Sequence, residues 1–559
     1  MGNNSDSKQK VFLVFNTACF GDVLVCNSLC QNIKLAYPDS RIVFVCDKNF
    51  YEAAKYQKDV DEVVIFDKKG EHKGFSGLCR FLKNFKYKRP YASFITYPNQ
   101  RNCFIAKMLG SKYVIQGKNF LKSEITTQEQ HVNLLKKITK HEPQNLPIKY
   151  IVEDTIPSHL SQLITKDEKY IGLCSLTKNP PKNMPITTAA GIIKEINRTK
   201  TYKVIFFGVG KDNEEYAKEL ENLGCEFINL VNKTTVYELA QVLKNCKALI
   251  STDTGTMHLG YSVGIPTVAV FYEIITLKNW TPNPKLYKCV TISSNQTVEN
   301  IMAGLKFLLN KEKRISVVIP TLQKNKELLI NLLSTLEQDK SVDEILLIDN
   351  SLQGLDYTNS KLRTIIPNEN MYVNPSWNFG VKEARNDIVA LLNDDITITS
   401  DFCSRVAEEI NPNMGCVGFN IDNIRVTHEI QQAIGGTKLC VEPSEYRGNH
   451  WGIAIFFYKS SYLEIPNDLK IFCGDDWIFM QSKKYNRQNY QISGQDIYHY
   501  GSLTSASKSL SAIGDKDRAL YRRYTRKWWN YIFNVEPVFR GVRITVLGIE
   551  LLCHYTNKH

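Results

Sequence analysis

The strongest constraint in this chain is a local pattern that keeps returning: a short unbroken apolar run, a tight turn, then a segment of helical period. It opens with KVFLVFN, the turn TACFGD and the segment VLVCNSLCQNIKLAYP, and the apolar runs RIVFVCD and DEVVIFD follow. Unbroken apolar strands alternating with helices predict a parallel sheet covered on both faces, since such strands need burial on both sides. The pattern restarts near Lys169 with KYIGLCS, a helix over 187–199, YKVIFFGVG, a helix over 213–223, CEFINL, a helix over 236–244 and ALISTD. Two such sheets in tandem imply a cleft between them, where ligands of open α/β sheets bind. After a helix over 298–309 and the charged run KEKR at 311–314, a third pattern begins with RISVVIP, EILLIDN and DIVALLNDDITI, the last running into an acidic turn. KEKR is the expected domain boundary, and the chain shows no internal repeat.

The 559 residues exceed one ordinary domain, and no stretch is apolar for long enough to span a bilayer. The start, MGNNSDSKQK, has no apolar signal core, and Asp6 stands where a myristoylation signal needs Ser or Thr. Fifteen scattered cysteines form no CxxC pair and no Cys/His metal spacing, so reduced thiols in a cytoplasmic protein are expected, with Cys26 and Cys30 in the core. The formal charge of +13 favours an anionic partner. No zinc finger, RNA-recognition signature or basic zipper is present, so nucleic acid is not the expected partner. Nucleotide sugars and anionic lipid are.

FNTACFGDVLVCNSLCQNIKLAYPDSRIVFV, DTGTMHLGYSVGIPTVAVF and the later NWTPNP resemble the heptosyltransferase-like glycosyltransferases of family nine, in that family's order, over roughly residues 10–310. The resemblance implies a GT-B fold of two Rossmann-like domains, an acceptor domain over 10–160 and a donor domain over 161–310. It places the family's catalytic base at Asp22, where an inverting transferase needs a carboxylate to take the acceptor hydroxyl proton. The alternative is that Asp22 caps a helix. Asp253, Thr254, Gly255 and His258 lie between a strand and an apolar helix, where free N–H groups meet a diphosphate. Thr254 and Gly255 allow close backbone approach, and His258 can donate to a phosphate or sugar oxygen. Here too the alternative is a cap, with Asp253 as the capping residue. Lys182 matches the family's phosphate-binding lysine, Ser175 and Thr177 are hydroxyl donors ahead of it, and Met184 stands where the family usually has Trp. Glu214 or Glu215 reaches the donor ribose, or is plain helix surface. No metal is expected in this half, where helix dipoles and cations neutralise the leaving group.

SVVIPT, LLIDNS, NPSWNFGVKEARNDIVALLNDDI, GDDWIF and YHYGS resemble the family-two glycosyltransferases in order over roughly residues 314–510, which implies a GT-A nucleotide-diphospho-sugar transferase domain. Asp349 is expected to hold the uracil or ribose of a donor, and Asn378 and Gly380 precede the acidic strand end. NDD takes the place of the family's Asp-x-Asp element, with Asp395 as a ligand for Mg2+ or Mn2+ and Asp394 on the nucleotide side. His499 is the expected second ligand. A solvated acidic turn and an ordinary strand histidine are the alternatives. Asp476 is the expected base and Asp475 the second choice. His450 and Trp451 line the acceptor site or simply pack.

The segment 511–559 is basic and aromatic, with RALYRRYTRKWWNYIF followed by the apolar run ITVLGIELL. Interleaved cations and aromatics suit the inner, anionic face of a membrane, where lipid-linked acceptors reside, or packing on the transferase domain. Together the two resemblances imply a bifunctional enzyme. It adds two sugars in succession, heptose by the front half and a hexose-type sugar by the back half, to a lipid-linked surface glycan, a lipopolysaccharide or lipooligosaccharide core or a capsule. One inactive half serving as an acceptor platform is the rival reading.

Overall fold

The computed structural model describes residues 9–118, 125–309, 313–419, 424–427, 439–445, 451–484, 487–494, 497–500, 508–525, 533–538, 541–546 and 549–554. The chain divides into two compact units, Met1–Lys311 and Glu312–His559.

The front unit contains both expected sheets. Strands β1 (Val11–Phe15), β2 (Arg41–Cys46), β3 (Glu62–Ile65), β4 (Ala92–Ile95) and β5 (Tyr113–Gln116) form a parallel sheet in the order β3-β2-β1-β4-β5. β1 is central, and Phe12, Leu13, Val14 and Phe15 are all 0% exposed, which is why its apolar run has no polar break. The helix expected after the first turn is two: α1 (Phe20–Val25) and α2 (Asn27–Ala36), joined through Cys26, which keeps helical backbone angles. Cys26 and Cys30 are buried, as expected.

The second sheet runs β11-β10-β9-β6-β7-β8, all parallel, from β6 (Tyr170–Cys174), β7 (Lys203–Phe206), β8 (Ile228–Asn229), β9 (Ala248–Thr252), β10 (Thr267–Val270) and β11 (Cys289–Ile292). Helix α3 (Gly255–Ser262) follows β9. In both sheets most candidate residues follow the carboxyl ends of central strands, β1 in the first sheet and β6 and β9 in the second. This is the GT-B architecture.

The back unit is built on an eight-stranded mixed sheet, β14-β13-β12-β15-β20-β17-β21-β19. Its strands are β12 (Ile315–Thr321), β13 (Val342–Asp349), β14 (Leu362–Ile365), β15 (Ile388–Leu392), β17 (Met414–Phe419), β19 (Cys440–Ser444), β20 (Ala454–Tyr458) and β21 (Gln488–Ser493). β12 pairs in parallel with β13 and β15, and β15 pairs antiparallel with β20, the mixed sheet of a GT-A domain. A small sheet, β16 (Ile396–Thr397), β22 (Ile497–His499) and β18 (Ile424–Val426), lies beyond the end of β15. Helices α4 (Val373–Glu383) and α5 (Gly474–Lys484) carry the WNFG and GDDWIF motifs.

The C-terminal segment has regular structure: helix α6 (Lys508–Thr525), then an antiparallel meander over 533–554. Trp528 and Trp529 lie outside the described residues. Among the described residues no helix is long and apolar enough to cross a membrane.

Candidate functional site

In the front unit the turn after β1 is tied down by Asn16, which is 1% exposed. Its Oδ1 accepts from the Ala18 N–H at 3.1 Å, and its Nδ2 donates to Thr96 Oγ1 at 3.0 Å and to the Asp22 carbonyl at 3.3 Å. Asn16 was not singled out from the sequence; a polar residue closing an apolar strand is the signal that marks it. The N-cap of α1 is Cys19, so Asp22 sits in the first helical turn and does not cap it. Burial pushes its carboxyl up to about 6; its own backbone N–H and Lys182 oppose the shift, and Asp253 adds to it.

Across the cleft, Thr254 occupies the N-cap of α3 without a side-chain cap bond, so Asp253 is not the cap either. The Asp253 carboxylate instead takes an ion pair from Lys182 at 2.6 Å and a hydrogen bond from Thr276 Oγ1 at 3.1 Å. Lys182 ends a short 3-10 turn over Pro180–Lys182 in the loop after β6. Residues 22, 182 and 253 therefore form one electrostatic group although they come from three separate segments, one helical turn and two loops.

Four other expectations are corrected. The side-chain space beside Gly255 is filled by the Phe20 ring rather than left open for a ligand. His258 is 3% exposed; its Nδ1 meets the Tyr261 hydroxyl, its ring stands edge-on to Trp280, and a Cβ on Gly21 would lie 2.7 Å from it. Burial pulls His258 down to about 4, so the ring is neutral near pH 7 and belongs to the seam where α1 meets α3. Ser175 is fully buried and donates to Met184 Sδ at 3.7 Å, while Met184 itself is core. Thr177 shapes the lysine loop: its hydroxyl donates to the Asn179 carbonyl at 2.9 Å and its N–H to Asn183 Oδ1 at 2.7 Å. On the outer helix, Glu214 accepts from Asn232 at 2.6 Å.

In the back unit a cavity of about 650 Å3 is lined by Thr321, Asn393, Asp394, Asp395, Asp475, Asp476, His499 and Arg518, among others. The buried run of β15 delivers the NDD turn, and β16 then pairs antiparallel with β22, setting Ile396 opposite His499. That register brings His499 Nε2 to 3.2 Å from Asp395 Oδ2. Asp395 Oδ1 is buried and has no hydrogen-bond partner, an acceptor of the kind a hard cation takes up. Among the described residues no three His, Cys, Asp or Glu side chains cluster as metal ligands, so a cation at this pair needs further oxygens from a diphosphate and water. Asp394 accepts from Thr321 Oγ1 at 2.6 Å; burial pushes it up to about 6, with Thr321 opposing and Asp395 adding.

Asp475 and Asp476 occupy the first turn of α5 and face the same cavity. Asp349 does not face it. Its oxygens accept from the Ser351 N–H and hydroxyl at 3.0 and 2.6 Å and from the Gly354 N–H at 2.8 Å, so the turn after β13 consumes the carboxylate expected to hold a nucleoside. The neighbouring Asn350 lines the cavity instead. Asn378 binds the backbone of Ile465, and Gly380 packs on Val318, so WNFG seats α4 on the sheet. Trp451 is 1% exposed and packs edge-on to Phe479, whereas His450 lies outside the described residues.

Two family profiles match the chain: residues 121–300 match Glycosyltransferase family 9 (heptosyltransferase), and residues 316–483 match Glycosyl transferase family 2. A lipooligosaccharide heptosyltransferase 2 of Haemophilus influenzae is 23% identical over 293 residues, 46% of this chain and 82% of that protein. The Campylobacter jejuni protein of the same name is 34% identical over 80 residues, 14% of this chain and 25% of its own length. Among solved structures, a family 9 glycosyl transferase from Veillonella parvula superposes with a TM-score of 0.47 at 20% identity, covering 54% of this chain and 97% of its own. Escherichia coli ADP-heptose lipopolysaccharide heptosyltransferase II gives 0.44 at 17%, covering 54% and 98%. The chain is a glycosyltransferase, with a family 9 (heptosyltransferase) segment followed by a family 2 segment.

Proposed function

We propose that the chain is a bifunctional inverting transferase that adds two sugars to a lipopolysaccharide or lipooligosaccharide core or a related surface glycan. The front unit uses a nucleotide-linked heptose. Asp22 takes the acceptor hydroxyl proton as that oxygen attacks the anomeric carbon, and the nucleoside diphosphate leaves toward Lys182 and the N–H groups at the start of α3. A carboxyl held at about 6 suits this work, since it is mostly ionised at neutral pH yet basic enough to accept a proton. The names of the relatives support the heptose and the core glycan as substrates.

The back unit uses a hexose-type nucleotide sugar, with Asp476 as base and Asp475 beside it. Asp395 and His499 would hold Mg2+ or Mn2+, which when bound supplies charge neutralisation for the departing diphosphate. Asp394 sits on the nucleotide side of that pair. Acceptors are lipid-linked, and the basic C-terminal segment brings the enzyme to an anionic membrane face.

The observation that carries the two-site reading is that each unit draws all its candidate groups from its own residues: 22, 182 and 253 in the front, 394, 395, 475, 476 and 499 in the back. The test is nucleotide release from ADP-heptose and from a panel of UDP-hexoses, for Asp22→Asn and Asp395→Ala in the full chain. Each variant should silence one donor class only. One variant silencing both would mean a single composite site.

A further inference from the structure

Helix α6 lies beyond the stretch that matches family 2, yet it reaches the back cavity. Asp517 on this helix is 0% exposed. Its Oδ1 accepts from the Lys470 N–H at 3.1 Å, and its Oδ2 accepts from the N–H groups of Ile471 and Phe472 at 2.8 and 2.9 Å. One buried carboxylate thus serves three successive amides. Asn374 on α4 holds the same strap: its N–H donates to the Lys470 carbonyl at 2.9 Å and its Nδ2 to the Phe472 carbonyl at 3.0 Å.

What the strap leads into gives the arrangement its meaning. Cys473 follows at φ +63°, a left-handed backbone that a non-glycine residue keeps only when its surroundings enforce it. Gly474 then packs against Asn374 and Trp377, where a Cβ would lie 3.1 Å from the indole. Asp475 and Asp476 come next, in the first turn of α5 at the cavity. Arg518, adjacent to Asp517, lines that cavity too.

We propose that Asp517 is a positioning residue of the back site. By binding the amides of 470–472 it fixes the turn at Cys473, and so the direction in which Asp475 and Asp476 enter the cavity. This rests on reading those two carboxylates as the base region. A side chain one helix away then sets the geometry of proton abstraction without touching substrate.

The experiment compares the full chain with Asp517→Asn and Asp517→Glu. Asparagine keeps the size but offers one acceptor oxygen and turns an NH2 toward the strap, so at least one amide loses its acceptor. Hydrogen exchange of the 470–476 amides should quicken in D517N while the front unit stays unchanged. Metal-dependent nucleotide release from the UDP-hexose panel should fall about 10- to 100-fold in kcat, with donor KM within about two-fold. D517E, which keeps the carboxylate, should recover part of the rate. If D517N unfolds the back unit, Asn374→Ser releases the other edge of the strap and must give the same kcat-selective loss. Unchanged exchange, or faster exchange with an unchanged kcat, overturns the proposal. A wild-type chain that releases nucleotide from no UDP-hexose counts against the transferase reading of the site, and the exchange measurement still judges Asp517.

Discussion

At the scale of single residues, Asp22 carries a cost as well as its proposed role. Its carboxyl sits at about 6 in the folded chain against 3.8 for an unperturbed aspartate, so the folded state holds the proton more tightly than the unfolded state does. Stability is therefore lost as pH rises from about 4 to about 6, and the full penalty is present above that. Two pH units correspond to an upper bound of about 3 kcal/mol. Asp22→Asn should thus melt higher than wild type at pH 7.5, with the gap closing toward pH 4, while front-unit turnover drops about 100-fold or more. Donor affinity should stay within a few-fold, because a base acts on the acceptor. In the wild type, front-unit kcat should rise with pH up to about 6 and then level off. A variant that melts lower and binds donor poorly would make Asp22 a structural residue. The GD turn was legible in the sequence; its partners were not, because Lys182 and Asp253 lie in two other loops that only the folded sheets bring together. Asp349 shows the reverse error. Ser351 and Gly354, which follow it, are ordinary Asx-turn material, and that local use outweighed its place at a strand end.

At the scale of elements, the strands and helices were the most legible part of the chain, because unbroken apolar runs and helical period are local signals. Contacts between elements were not. The seam between α1 and α3 depends on two glycines, of which Gly255 reads from the sequence as room for a close backbone approach, whereas each makes room for a side chain of the opposite helix. Gly21 accommodates His258, and Gly255 accommodates Phe20. Gly255→Ala should therefore destabilise the front unit by about 1–3 kcal/mol through overpacking, visible in its melting transition. It should also lower front-unit kcat/KM, because the same seam holds Asp22 opposite Asp253. Wild-type melting and turnover in G255A would show that the seam yields without consequence. The Asp395–His499 pair is likewise a product of strand register. β16 and β22 are far apart in the chain, and only their antiparallel pairing brings His499 to the acidic turn.

At the scale of the whole molecule, the question is whether the two proposed sites on one chain need one another. The back unit starts with its own central strand, β12, buried along most of its length and paired on both sides within the unit. Its cavity takes every lining residue from 320 onward, and α6 braces it from the same unit. Among the described residues, every group named in that site belongs to the back unit. A chain beginning at about Lys311 should fold and release nucleotide from a UDP-hexose when Mn2+ is present, and Asp395→Ala or Asp476→Asn should silence it. The full chain should respond to EDTA in the same divided way. UDP-hexose turnover should vanish and return with Mn2+, whereas ADP-heptose turnover should persist, because the proposed front site would meet the diphosphate with Lys182 and backbone N–H groups. Equal EDTA sensitivity of both activities would remove the chemical distinction between the sites. If the isolated back unit is folded but inert on an acceptor that the full chain glycosylates, that acceptor must be held by the front unit. The two transfers would then be coupled through a shared substrate.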